Sequence, residues 1–113
     1  MSEFIYLYRG GRRGGSPEES QQIMQKWHAW MKDLTASGNL KDPGQPLEAE
    51  GKVVTGKGRP VTDGPFAEAK DLVGGFTLIE ADSLTHAATL ADGCPILEAG
   101  GAVEIRPIMK MDM

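Results

Sequence analysis

EFIYLYR, residues 3–9, is the stretch that decides the fold. Its aromatic and β-branched residues make it a strand. Alternation points Phe4, Tyr6 and Tyr8 one way and Ile5 and Leu7 the other. Both faces are apolar, so the strand belongs in the middle of a sheet and needs cover on both sides.

The first cover lies just downstream. In Ser16-Pro17-Glu18-Glu19, Ser16 can cap free amides, Pro17 suits the first helical position and Glu19 completes a capping box. Ile23, Met24, Trp27, Trp30, Met31 and Leu34 then recur at helical spacing, a stripe about 120° wide, which reads as a core face. Gly38 supplies the stop. Residues 40–51 read as a turn region. Lys52–Thr55 and Arg59–Thr62 read as two short extended pieces joined by a Gly56-Lys57-Gly58 hairpin loop, with Pro60 forcing an edge position. Val73–Ala81 is a second two-faced strand, with Phe76 and Leu78 on one side and Val73 and Ile79 on the other. Ser83 caps a shorter helix with a narrow face of Leu84, Ala87, Ala88 and Ala91, which Gly93 and Pro95 end. Gly101–Met109 closes the chain as a strand, with Val103 and Ile105 opposite Ala102, Glu104, Arg106 and Ile108.

This order predicts an α+β, ferredoxin-like split βαβ fold with an extra hairpin strand. Two helices cover one face of such a sheet. The apolar second face needs a partner, and a second copy in a symmetric face-to-face homodimer is the simplest one.

The 113 residues fit a single domain, 1–113. A net charge of −4 with scattered signs gives no footprint for direct nucleic-acid binding. Arg9, Arg12 and Arg13 stand among glycines, either as a solvated loop or as an anion-binding one. Cys94 is the one cysteine, so no intrachain disulfide forms. The N-terminus reads as a strand and not a signal peptide, and no segment approaches the roughly 18 apolar residues of a membrane span. A cytoplasmic protein without membrane association is expected. Metal-ligand spacing and a phosphate loop of Walker type are both missing, so no cofactor is expected.

Three blocks in order resemble the DGPF group of YCII-related proteins: SPEESQQIMQKWHAWMKDLTASG (16–38), VTDGPFAEAKDLVGGF (61–76) and CPILEAGGAVEIRPI (94–108). The resemblance implies a dimeric α+β barrel. Names carried by some relatives imply a link to transcription. Well-described relatives are proposed to use a His–Asp pair in a small pocket. The corresponding histidine position, counted back from the glycine that ends the first helix, holds Trp27 here. His28 follows one place later, a rotation of about 100°, so the pair does not transfer directly.

The candidate acid–base residues are Asp63 and His28. Asp63 has two readings, a turn residue bonding downstream amides or a pocket carboxylate. Phe66 reads as the apolar plug that holds this loop down. Glu68 and Lys70 are either solvated or line a pocket beneath it. Gly74 and Gly75 either let a ligand or another backbone come close or mark a β-bulge or close dimer packing. Arg106 either pairs with Glu104, two residues away on the same face, or binds a carboxylate substrate, and Arg9 is a second candidate for that role. His86 is expected in solvent. The leading functional reading is general acid–base chemistry on a small anionic metabolite in a pocket beside the DGPF loop. The alternative is a non-catalytic dimeric binding or regulatory module, possible in transcription.

Overall fold

The computed structural model describes residues 1–11, 14–64 and 71–111. Its elements are β1 (Ser2–Arg9), α1 (Pro17–Ala36), β2 (Leu40–Asp42), β3 (Gly51–Val54), β4 (Val61–Gly64), β5 (Val73–Ala81), α2 (Leu84–Ala91), a 3-10 turn (Pro95–Leu97) and β6 (Ala102–Pro107). Four strands form one antiparallel sheet in the order β2-β5-β1-β6. With α1 following β1 and α2 following β5, this is the ferredoxin-like arrangement. β3 and β4 form a separate two-stranded ribbon.

Two expectations need correction here. Residues 40–51 are not all turn, because Leu40–Asp42 forms an edge strand against β5. The hairpin does not extend the main sheet either. The three-residue β2 has no room for period-two alternation, so its pattern cannot be read from sequence.

β1 is central, as its two-faced pattern requires. Phe4, Tyr6 and Tyr8 are buried beneath the helices, while Ile5 and Leu7 are half-buried on the other face. Thr77, Ile79 and Ala81 of β5 join the helix side, and Phe76 and Leu78 join the open side. A bulge between Tyr8 and Arg9 brings Val73 opposite Arg9, so Val73 leaves the Ile79 row in which strict alternation would place it. Val103 and Ile105 of β6 pack on the core, with Glu104 and Arg106 turned away.

Both helices form for the reasons visible in their ends. The Ser16 hydroxyl accepts from Glu19 N–H at 3.1 Å, and the Glu19 carboxylate accepts from Gly15 N–H at 3.3 Å, one residue earlier than in the usual reciprocal box. At the other end Gly38 sits at φ +78°. Asn39 N–H bonds Leu34 O and Gly38 N–H bonds Thr35 O, which is a Schellman cap. Trp30 and Leu34 of α1 are buried, and Ala87 and Ala91 let α2 lie close beside the sheet. α2 is only eight residues long and meets α1 near its C-terminal half, where Trp30 Nε1–H donates to Leu90 O at 3.2 Å. Among the described elements the 3-10 turn is the other helical piece that meets α1, and α2 does not pack along the N-terminal half of α1. Met24, expected in the core stripe, is 55 % exposed there, and Ile23 is half-buried.

Candidate functional site

The space under the N-terminal half of α1 is a cleft of about 990 Å³. Its floor is Tyr8 at the end of β1 with Gly75 and Thr77 of β5. Trp27 and Met31 of α1 form one wall, residues 43–46 a second, and Pro95 and Ile96 close the end. The Tyr8 hydroxyl donates to Thr77 Oγ1 at 2.6 Å, and Thr77 donates on to Pro43 O at 3.0 Å. Burial pushes the Tyr8 phenol well above its ordinary pKa, so it stays protonated. Trp27 meets Tyr8 edge-on, with ring centroids 4.8 Å apart. Among the described residues no buried side-chain polar atom lacks a hydrogen-bond partner. The floor therefore offers shape and aromatic surface, and polar recognition falls to the rim, where Gln22, His28 and Gln45 stand.

The second wall depends on three glycines. The Asp42 carboxylate accepts from Gly44 N–H at 2.8 Å and turns the chain back over β5. There Leu47 N–H bonds Gly74 O at 2.8 Å, and Pro46 bridges Gly75. A Cβ on Gly75 would come within 3.0 Å of Gln45 O. Two of the readings for the Gly74-Gly75 pair are seen: another backbone comes close at Gly75, and the β1–β5 register skips Gly74 in a bulge.

The predicted site residues are dispersed. His28 lies exposed at the cleft rim. Asp63 falls within β4, not in a turn, and its Oδ1 accepts from Lys52 Nζ at 2.7 Å across the ribbon, with the Asp63 side chain 90 % exposed. The register, with Lys52 opposite Asp63, makes this cross-strand pair. The structure thus does not bring Asp63 to His28. Arg9 is on the open face of the sheet, where Nε–H donates to Glu104 at 2.6 Å and an NH1 hydrogen to Asp71 O at 2.5 Å. Glu104 therefore pairs with Arg9 and not with Arg106, which is exposed. The diagonal neighbour on β1 outcompetes the same-strand residue two places on. Glu68, Lys70 and Phe66 lie outside the described residues, as do Arg12 and Arg13. His86 is partly covered, its Nδ1 accepting from Asp82 N–H at 3.0 Å.

Sequence reasoning missed Tyr8, Trp27 and Met31 as cleft residues because their spacing marks them equally as core. The signal that could have found them is the mismatch between a 20-residue α1 and an eight-residue α2. Part of the stripe of the longer helix extends beyond the reach of α2.

Cys94 is buried under the same end of the sheet, and burial pushes its thiol up to about 12. Burial of this kind disfavours the thiolate, the form that acts as a nucleophile. Among the described residues no three His, Cys, Asp or Glu side chains cluster as metal ligands. No described helix is long and apolar enough to cross a membrane.

Sheet order, helix placement and cleft together define an α+β protein of the ferredoxin-like class. The YCII-related domain matches residues 4–112, and the chain belongs to that family. No curated protein matches it. Among solved structures it is similar to the 5-chloro-2-hydroxyhydroquinone dehydrochlorinase TftG of Burkholderia phenoliruptrix, in complex with 2,5-dihydroxybenzoquinone. Identity is 20 %, the alignment covers 91 % of this chain and 90 % of that one, and the TM-score is 0.44.

Proposed function

We propose that the cleft binds a small, largely apolar organic molecule and that His28, at its rim, exchanges a proton with it. The observation that carries this reading is an aromatic lining of Tyr8 and Trp27 beside an exposed imidazole, in a space of about 990 Å³. Clefts of this size and lining are the common form of small-molecule sites. Histidine is the side chain most often used for general acid–base work.

The lining favours an uncharged ligand over an anionic one. Lys26 is the one lysine or arginine among the described lining residues, and it is bonded to Glu98 at 2.7 Å, while Glu18 and Glu19 also face the cleft. Arg9 and Arg106, two of the anchors read for an anion, are not among the described lining residues. Trp27 provides the readout. Neutral ring compounds from a metabolite panel should quench tryptophan fluorescence and raise the melting temperature. Trp27→Leu should weaken binding about tenfold, and His28→Gln should retain binding while losing turnover. A panel in which no compound binds, or in which only carboxylates bind, would overturn the reading.

A second copy of the chain is the proposed partner for the open sheet face. Ile5, Leu7, Phe76 and Leu78 stand there half-buried, with charged Glu3, Lys41, Arg9 and Glu104 around them. An apolar centre with a charged rim is the anatomy of a protein interface. Sedimentation at micromolar concentration should show a dimer, and Leu7→Lys should give monomers. A stable wild-type monomer would contradict it.

A further inference from the structure

We propose that the β3–β4 ribbon is an intermolecular arm, seating its Val54–Val61 pair on the second copy of the chain. The inference rests on the dimer proposed above and adds a contact that sheet-face packing does not include.

The ribbon has four residues in each strand and no hydrogen-bonded neighbour strand among the described residues. A lone two-stranded hairpin is marginal in water and needs packing on one face to persist. The register puts Lys52 opposite Asp63 and Val54 opposite Val61, all on one face. Val54 is 61 % exposed and Val61 59 %, so the described residues leave both largely open. Among the described elements, β3 and β4 pack substantially only on each other.

The tip is formed for projection. Thr55 N–H bonds Pro60 O at 3.1 Å, and the loop closes through Gly58 at φ +78° and Arg59 at φ +51°. Lys57 and Arg59 at this tip have no ion pair among the described residues.

Charge selects the occupant. Residues 51–64 hold three basic residues and one acidic, a net +2, which leaves nine basic against fifteen acidic elsewhere, a net −6. A cationic arm on an anionic body attracts the body of another copy, and two-fold symmetry lets both arms engage at once. Two unpaired cations are too few for a nucleic-acid backbone, whose binders typically neutralise about 6–10 phosphates.

The test uses the full chain with Val54→Ser and Val61→Ser together, exposed positions at which the body's core is untouched. Analytical ultracentrifugation should show the dimer dissociation constant rising at least tenfold, while circular dichroism keeps the wild-type spectrum. In a second measurement, isotopically labelled and unlabelled chains are mixed and treated with a zero-length carbodiimide. Lys57 should then be joined to a carboxylate of the other isotopic form. A dimer whose dissociation constant the double variant leaves unchanged overturns the arm and spares the sheet-face dimer, and it is also the outcome if the ribbon serves a different macromolecule. Lys57 crosslinks confined to the same chain overturn the arm as well. A monomeric wild type overturns both.

Discussion

Gly44→Ala should destabilise the chain by about 2–5 kcal/mol, with the loss read from urea unfolding followed by tryptophan fluorescence. Two costs add. Gly44 sits at φ +73°, where a side chain costs about 1–2 kcal/mol. Its Cβ would also stand 1.8 Å from the carbonyl oxygen of Phe76. That atom belongs to the sheet backbone and cannot swing aside, so the 43–47 segment must lift, an overpacking cost of about 1–3 kcal/mol. Gly38→Ala is the matched control. It has a similar φ of +78° with nothing within 4 Å, so only the strain of about 1–2 kcal/mol applies. Equal losses for the two variants would mean that residues 43–47 are not clamped on β5, and the second wall of the cleft would go with them.

Trp30→Ala should cost about 3–5 kcal/mol, the usual range for deleting a large buried aromatic side chain. Trp30 is 6 % exposed. It stacks on Tyr6 at 5.8 Å and 18°, and meets the edges of Tyr8 and Trp27 at 6.2 and 5.9 Å. Its indole N–H holds the Leu90 carbonyl, so the variant removes the pin between the helices as well as the ring. Trp27→Ala, one turn earlier and half-buried, should cost less stability but more ligand affinity. A Trp30→Ala loss below about 1 kcal/mol would place the core elsewhere than this aromatic cluster.

The parts of the fold that were legible share one property, a local rule that the tertiary structure did not override. β1 announced its central place because apolar residues on both faces have few other uses. α1 announced both ends because Ser16, Pro17 and Gly38 each answer a local backbone need. β2 escaped notice because three residues are too few for a period and its pairing with β5 is set by distant contacts. Val73 was placed on the wrong face because a bulge changes register without any residue type marking it. The site was less legible than the fold. His28 follows Trp27 by one place and lies exposed at the cleft rim. Asp63 drew attention for its Asp-Gly-Pro context, yet the ribbon runs two residues past Thr62, to Gly64, and makes Asp63 a strand carboxylate opposite Lys52. The Arg9–Glu104 pair depends on β1–β6 register, which no single segment encodes.

The sheet's two outer strands have a consequence for how the protein behaves when concentrated. An exposed strand edge is a template on which further chains add by hydrogen bonding and grow into fibres. Here one outer strand, β2, is three residues long, carries exposed Lys41 and Asp42, and runs directly into Pro43, which has no N–H to donate. The other, β6, ends in Pro107 and carries Glu104 and Arg106 on its solvent side. Neither edge offers a long, flat, uncharged ladder. Growth by strand addition is thereby blocked at both sides of the sheet, and heat-stressed samples should lose native protein through unfolded chains, not through ordered stacking of folded ones.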